Sequence, residues 1–418
     1  MFVTSFPASR HNNLPMVTPA EADRIIRESV VPFHREDCAL ADAHGRVLRE
    51  DLVADRDLPP YDRVTMDGYA VRAAAVAGGQ RTFRVEAVQA AGMRAFRLGA
   101  AAESAVEVMT GAVLPDGADC IVPYEDTRRE GTTIVLREEV AQRLTSGNAI
   151  HRRGSDRQAG ETILRSGTRL GGREIAMAAS CGHGVLTVSK QPKIAVVSTG
   201  DELVEVDMPV AAHQIRRSND YALQAALAEA GFPAVSRFHL RDVPHEIERV
   251  LWNLIAEYDA VVLVGGVSKG RFDFIPKELQ RQGVTPRFHG VSQRPGKPMW
   301  FGVSARQTLI FALPGNPVSC YTCLHRYVIP AFKIALGCEA ARPGIACLAH
   351  PVTFAPALTY LVPVKLTVGP QGEALATTHA TNTSGDFAGL LGTDGFVELP
   401  AEQNEFPAGT VAPFWRWA

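Results

Sequence analysis

The sequence predicts a multidomain α/β chain in which one central domain with a doubly wound parallel sheet is flanked on both sides by β-rich parts. Three observations carry this. Between residues 193 and 336, apolar strand-like runs alternate with helical windows of about 10 to 15 residues, which calls for parallel strands joined by right-handed crossovers. From residue 61 to about 142 the chain is a series of short β-like runs broken by turn residues. Beyond Gly344 it returns to strands and turns without helical periodicity over any long window.

The totals set limits. At 418 residues the chain has room for about three domains. Forty-three Lys plus Arg stand against 45 Asp plus Glu, so there is no global basic field. Neither nucleic acid nor an anionic membrane is therefore an expected partner, and an anionic ligand needs a local site. Residues 1–15 carry Arg10 and His11 and lack the apolar core of a signal peptide. No run of about 18 apolar residues offers a membrane span. Seven scattered cysteines, an odd number, suit reduced thiols in a cytoplasmic protein. Cys320 and Cys323 are spaced for metal or redox work, but they lie in an apolar run with no second pair, so they read as buried small side chains.

In chain order, Thr18-Pro-Ala-Glu21 is a capping box with Pro at the first helical position, opening an amphipathic helix to about residue 31. Asp57-Leu-Pro-Pro60 forces an extended path and marks a boundary. In Met66-Asp-Gly-Tyr-Ala-Val71 an acidic group, Asp67, precedes a glycine and a strand; Asp before Gly ordinarily marks a turn. Thr110 sets a hydroxyl before a glycine at a strand end. Ile150-His-Arg-Arg-Gly-Ser-Asp156 clusters cationic groups beside Asp156, which suits either an oxyanion site or a solvated loop. A helix is expected over 170–181, closed by Gly182 and Gly184.

The central domain opens with the buried-type strand and polar loop Ile194-Ala-Val-Val-Ser-Thr-Gly-Asp-Glu-Leu203. Helices follow over 221–230 and 244–257, with a strand over 233–240 between them. Val261-Val-Leu-Val-Gly-Gly-Val-Ser-Lys-Gly-Arg-Phe-Asp273 is a strand, a glycine turn and a helix start, whose exposed amides and helix dipole favour an anion. A strand near Arg287 and the strand 309–313 lead to Pro314-Gly-Asn316 and a helix over 318–336. In a parallel sheet, ligands sit beyond the carboxyl ends of the strands. That rule gathers the loops at 198–202, 241–242, 265–273 and 314–316 along one edge.

These motifs, in order, resemble the molybdopterin molybdenumtransferase family, called MoeA in bacteria and represented by the gephyrin E domain in animals. They are Met66 to Val71, Met109-Thr-Gly-Ala112, Arg152-Arg-Gly-Ser-Asp156, Ser198-Thr-Gly-Asp-Glu-Leu203, Gly265-Gly-Val-Ser268 with Asp273, Pro295-Gly-Lys-Pro298 and Leu313-Pro-Gly-Asn-Pro-Val-Ser319. The resemblance implies an elongated N-terminal scaffold domain (1–60 plus 145–190), an inserted β domain (61–144), an α/β molybdopterin-binding domain (191–340) and a C-terminal β-barrel-like domain (341–418). It implies insertion of molybdenum from molybdate into adenylylated molybdopterin with release of AMP, Mg²⁺ as the divalent cation, and a homodimer with a composite active site. Other molybdenum cofactor biosynthesis proteins are implied as further partners.

Carried onto this sequence, the catalytic set is Asp67, Thr110, Asp156, Glu202, Asp242, Asp273 and Lys297. Glu202, Asp242 and Asp273 supply the hard oxygen ligands that Mg²⁺ prefers. Substrate contacts fall to Ser198, Thr199, Gly200, Asp201, Gly265, Gly266, Ser268, Arg294, Pro314, Gly315, Asn316 and Ser319. Three departures stand out. Arg294 replaces the usual first Lys of Lys-Pro-Gly-Lys-Pro. Arg217-Ser-Asn-Asp220 exchanges the acid and base of Asp-Ser-Asn-Arg, an ion pair worth a few tenths of a kcal/mol if exposed. The Arg-Gly common early in the last domain is missing around Tyr360-Leu-Val-Pro-Val-Lys365. They leave open a paralogue acting on another metal or pterin, and a non-catalytic binding or scaffold protein.

Overall fold

The computed structural model describes residues 16–267, 275–340, 342–379 and 381–417. Its first helix, Pro19–Ser29, starts where Thr18 accepts a hydrogen bond from the Glu21 N–H, while the Glu21 carboxylate accepts from the Thr18 N–H at 2.7 Å. Ala22 and Ile26 on its inner face join the same core as Ile329, Ala331 and Phe332 of the central part. Segments before and after the β-rich part then pair with each other: Arg35–Ala39 with Val185–Ser189, Leu52–Val53 with Thr162–Leu164, and Arg63–Val64 with Ile150–His151, all antiparallel. Cys38, Leu48, Leu52, Leu170, Leu186 and Val188 fill their core.

The intervening β-rich part is a six-stranded sheet ordered Cys120–Pro123, Gly68–Val71, Ser104–Val108, Thr82–Gln89, Thr133–Leu136, Thr127–Glu130. Alternation along Gly68–Val71 sends Tyr69 and Val71 into one apolar cluster with Phe83 and Ile134, and Ala70 into another with Val106 and Ile121.

The central sheet runs Val235–Leu240, Ile194–Thr199, Ala260–Val264, Leu309–Leu313, Trp300–Val303, Thr285–His289. Its first four strands are parallel, as the alternation predicts, but the last two are antiparallel, so the sheet is mixed. The reason is connection length. Only residues 304–308 separate Trp300–Val303 from Leu309–Leu313, too few for a crossover, and the Ser304 hydroxyl closes the hairpin by accepting from the N–H groups of Arg306 and Thr308. Helices cover both faces: Ile194 and Val196 join one core, Ala195 and Val197 the other. A strand buried on both sides is why Ile194–Thr199 reads as an unbroken apolar run. The expected helix over 318–336 is Pro317–Cys323 and Ile329–Ala335 joined by a π-helical turn, Leu324–Val328.

Beyond Gly344, Thr359–Val368, Ala374–Thr378, Gly344–Leu348, Val411–Arg416 and Gly395–Leu399 pair in sequence, and the first also pairs with the last, closing a five-stranded barrel. The two-residue strand Gln293–Arg294 adds to its rim, with Arg294 in register with Tyr360. Arg326, 4% exposed, ties three parts of the chain together. It bonds Asp23 of the first helix at 2.7 Å and Glu398 of the barrel at 2.8 Å, and lies 4.2 Å above the Trp415 ring.

Candidate functional site: two cavities beyond the strand ends

The carboxyl ends of the parallel strands open on a cavity of about 500 Å³. Ser198, Thr199, Gly200 and Glu202 line it from the loop after Ile194–Thr199, Asp242 from the loop after Val235–Leu240, Gly265 and Gly266 from the loop after Ala260–Val264, and Gly315 and Asn316 from the loop after Leu309–Leu313. All four loops expected along this edge meet there. Asp201 stands just outside: one carboxylate oxygen accepts from the Asp242 N–H at 3.3 Å and pairs with Arg241 at 3.4 Å.

The glycine turn differs in detail from the sequence reading. Gly265 N–H donates to Leu313 O at 3.0 Å and so serves the sheet rather than a ligand. Gly265 has φ +97, and a Cβ there would come within 2.7 Å of the Thr199 hydroxyl, so the residue must be glycine. Among the described residues the following helix is Ile275–Arg281. Ser268 and Asp273, together with Lys269, lie outside the described residues.

A second cavity, about 490 Å³, lies between this sheet and the barrel, and Asn316 lines both. Arg294, Lys297, Pro314 and Ser319 border it from the sheet side; Phe354, Tyr360 and the polar run Thr381, Asn382, Thr383, Ser384 from the barrel side. Asn316 Nδ2 donates to the Ser384 hydroxyl at 2.7 Å, pinning the two walls together. Arg294 and Lys297 are exposed and form no ion pair among the described residues. Tyr360 stacks on Phe354 with ring centroids 4.1 Å apart and planes 7° from parallel. The Tyr360 phenol is pushed up by burial, with Arg294 pulling the other way.

Asp67, Thr110 and Asp156 line neither cavity. Thr110 donates to one Asp67 oxygen from its backbone N–H at 2.6 Å and from its hydroxyl at 2.7 Å, and the backbone bond above all holds that carboxyl below the usual range. Asp156 meets His151 at 2.9 Å. The arginines beside them have acidic partners: Arg152 with Asp62 at 2.6 Å and Arg153 with Asp57 at 2.7 Å.

The exchanged pair Arg217 and Asp220 is not an exposed ion pair. Arg217 is 7% exposed and Asp220 fully buried. Arg217 also bonds Glu205, and Arg237 approaches Asp220 at 3.5 Å. A buried pair belongs to a different energetic regime, in which removing one partner is costly. Arg217 lines the first cavity with Arg216, Ser218 and Asn219, and Asn219 Nδ2 donates to Gly315 O at 2.7 Å.

Three family models tile the chain. The MoeA N-terminal region (domain I and II) matches residues 17–182, the probable molybdopterin binding domain residues 195–334, and the MoeA C-terminal region (domain IV) residues 346–417. The molybdopterin molybdenumtransferase of Synechocystis sp. is 39% identical over 403 residues, covering 96% of this chain and all of that one. The chain belongs to the MoeA family. Among its MoeA-type relatives, the Bacillus subtilis molybdopterin molybdenumtransferase is 30% identical over 408 residues, 94% of this chain and 93% of that one. The crystal structure of the molybdopterin biosynthesis MoeA protein from Pyrococcus horikosii matches with a TM-score of 0.80 at 28% identity, covering 97% of this chain and all of that one.

Against this MoeA fold, sequence reasoning missed the barrel's contribution to the second cavity. Thr381-Asn-Thr-Ser384 had a usable signal, four adjacent polar side chains. Phe354 had none, since it looks like an ordinary strand aromatic, and Tyr360 was marked only by the missing Arg-Gly around it.

Proposed function

We propose that this chain transfers molybdenum from molybdate into adenylylated molybdopterin, releasing AMP and depending on Mg²⁺. Membership of the family makes it a molybdopterin molybdenumtransferase of molybdenum cofactor biosynthesis. The observation that carries the finer reading is the pair of cavities sharing Asn316, one lined by Glu202 and Asp242, the other by Arg294 and Lys297.

The two cavities suit the two parts of the chemistry. In the first, Ser198 and the turns at Gly266 and Gly315 offer hydroxyl and backbone groups to phosphate, while the Thr199 hydroxyl and the Gly265 N–H are engaged with Val264 O and Leu313 O and shape the wall. Glu202 and Asp242 fit Mg²⁺, which takes one or two carboxylates and completes its shell with water and phosphate; Asp273, the third proposed ligand, lies outside the described residues. When bound, the cation would offset phosphate charge. In the second cavity, Arg294 and Lys297 compensate a dianion such as molybdate, with Arg able to bind two oxygens at once. The residues thereby orient two anions and balance their charge, which is where most of the catalysis would arise.

Asp67, Thr110 and Asp156 sit outside both cavities of their own chain, so in this reading they act from a second copy, in a homodimer with composite sites. The setting is cytoplasmic, and the product passes to other proteins of the same biosynthesis. No described helix is long and apolar enough to cross a membrane.

The test is an assay with purified adenylylated molybdopterin, molybdate and Mg²⁺, following AMP release and molybdenum content. Folded protein that forms neither product overturns the proposal. Tyr360, in register with Arg294 at the start of the stretch where the Arg-Gly expected of relatives is missing, favours one alternative: a paralogue that inserts another metal or acts on a modified pterin. The cofactor extracted from a deletion strain decides between them. A purely scaffolding protein would fail to bind adenylylated molybdopterin at all.

A further inference from the structure

We propose that Gln293 and Tyr327 are positioning residues that hold the loop 294–297, and with it Arg294 and Lys297, in place on the second cavity. The inference rests on reading that cavity as an oxyanion site.

Gln293 is fully buried directly before the loop, and an unpaired carboxamide there would be costly. Its oxygen accepts from the Tyr327 hydroxyl. Its amide donates to Pro295 O at 3.1 Å and reaches Cys323 Sγ at 3.6 Å. The Cys323 thiol reaches Gly296 O at 3.8 Å, so two consecutive carbonyls of the loop are tied to the buried helix. Gly296 has φ +94, and a Cβ there would run into Cys323 Sγ and lie 2.7 Å from Gln293 Nε2. The far side of the loop is fixed by Val291 N–H to Lys297 O at 2.8 Å.

Every polar atom of this small network ends on the loop or on the helix behind it. An apolar residue would fill the same volume, so what the amide adds is direction: it fixes the backbone between the two cations. Tyr327 is 1% exposed and sits in the π-helical turn beside Arg326. Adjacent residues of one turn thus serve the three-way junction and the cation loop. Neither Gln293 Oε1 nor the Tyr327 hydroxyl needs to touch the ligand for this role.

The experiment compares molybdate binding by calorimetry, and separate Michaelis constants for molybdate and adenylylated molybdopterin, in Tyr327→Phe, Gln293→Leu, the double variant and Gln293→Glu. Tyr327→Phe keeps the ring and tests the relay even if Gln293→Leu folds poorly. We expect about a tenfold weaker molybdate Kd and a higher molybdate KM, with the pterin KM unchanged and the double variant no worse than either single one. Gln293→Glu keeps an acceptor for Tyr327 but loses the donor to Pro295 O, and should behave like Gln293→Leu. A merely structural role would lower Tm and leave the molybdate-to-pterin KM ratio untouched. Wild-type molybdate affinity in folded Tyr327→Phe and Gln293→Glu overturns the inference if Arg294→Ala and Lys297→Ala do lose binding. Should the latter two also bind normally, the oxyanion reading of the cavity fails, and the inference with it.

Discussion

Thr110 donates twice to one oxygen of Asp67, and the other oxygen, Oδ2, has no partner among the described residues. Such a carboxylate is held ionised and oriented while one lone-pair set stays available to a ligand. Its folded-state pKa lies below the unfolded value, so the stabilisation is present above the unfolded pKa and is lost as pH falls through the lowered one. In Thr110→Val the hydroxyl bond goes and the backbone bond stays, so carboxyl NMR should show the Asp67 pKa moving partway back towards 3.8. Asp67→Ala should fold normally and lose molybdenum transfer; full activity in folded Asp67→Ala removes Asp67 from the site.

Arg217→Met strands Asp220 as a buried carboxylate, and urea unfolding should register a loss of about 3 kcal/mol, moderated by Arg237 nearby. Exchanging the two, Arg217→Asp with Asp220→Arg, recreates the order expected of relatives. It should recover part of that loss, and a double-mutant cycle measures the coupling. Equal, additive losses from both single changes would mean the pair is not a unit.

Gly265→Ala places a Cβ at φ +97 against the Thr199 hydroxyl. The expected cost is about 1 to 3 kcal/mol in thermal or urea unfolding. Because Gly265 also carries the bond to Leu313, transfer activity should fall with it.

His325 is 5% exposed, its Nε2 has no partner among the described residues, and burial lowers its pKa to about 4. The unfolded chain therefore binds the proton more readily, and stability declines as pH falls from about 6.5 towards 4. At about 1.4 kcal/mol per pKa unit this amounts to about 3.5 kcal/mol at most. Tm measured from pH 7.5 to 4.5 should drop less steeply in His325→Phe, which keeps a ring against Tyr321 and Trp417. An unchanged slope would assign the acid sensitivity to other groups.

Much of the central part was readable because strands buried on two faces announce themselves as apolar runs and each ends in a polar loop. The edge rule then assembled Glu202, Asp242, Gly265 and Gly315 without any contact information. The antiparallel edge escaped because Trp300–Val303 and Leu309–Leu313 look like any two buried strands, and only the five-residue gap between them carries the topology. The second cavity was hidden for another reason. It exists only once Arg294 and Tyr360, far apart in sequence, stand in register. The same holds for Arg152 and Arg153, which read as free cations until Asp62 and Asp57 come beside them.

Arg326 has a bearing on how lesions spread. Its guanidinium sits where the first helix, the sheet part and the barrel meet, and none of the three can shift there without leaving a charge stranded. Damage at Asp23, near the start of the chain, should thus be felt at Glu398 and Trp415 near its end. The three regions are therefore expected to melt as one transition rather than in sequence.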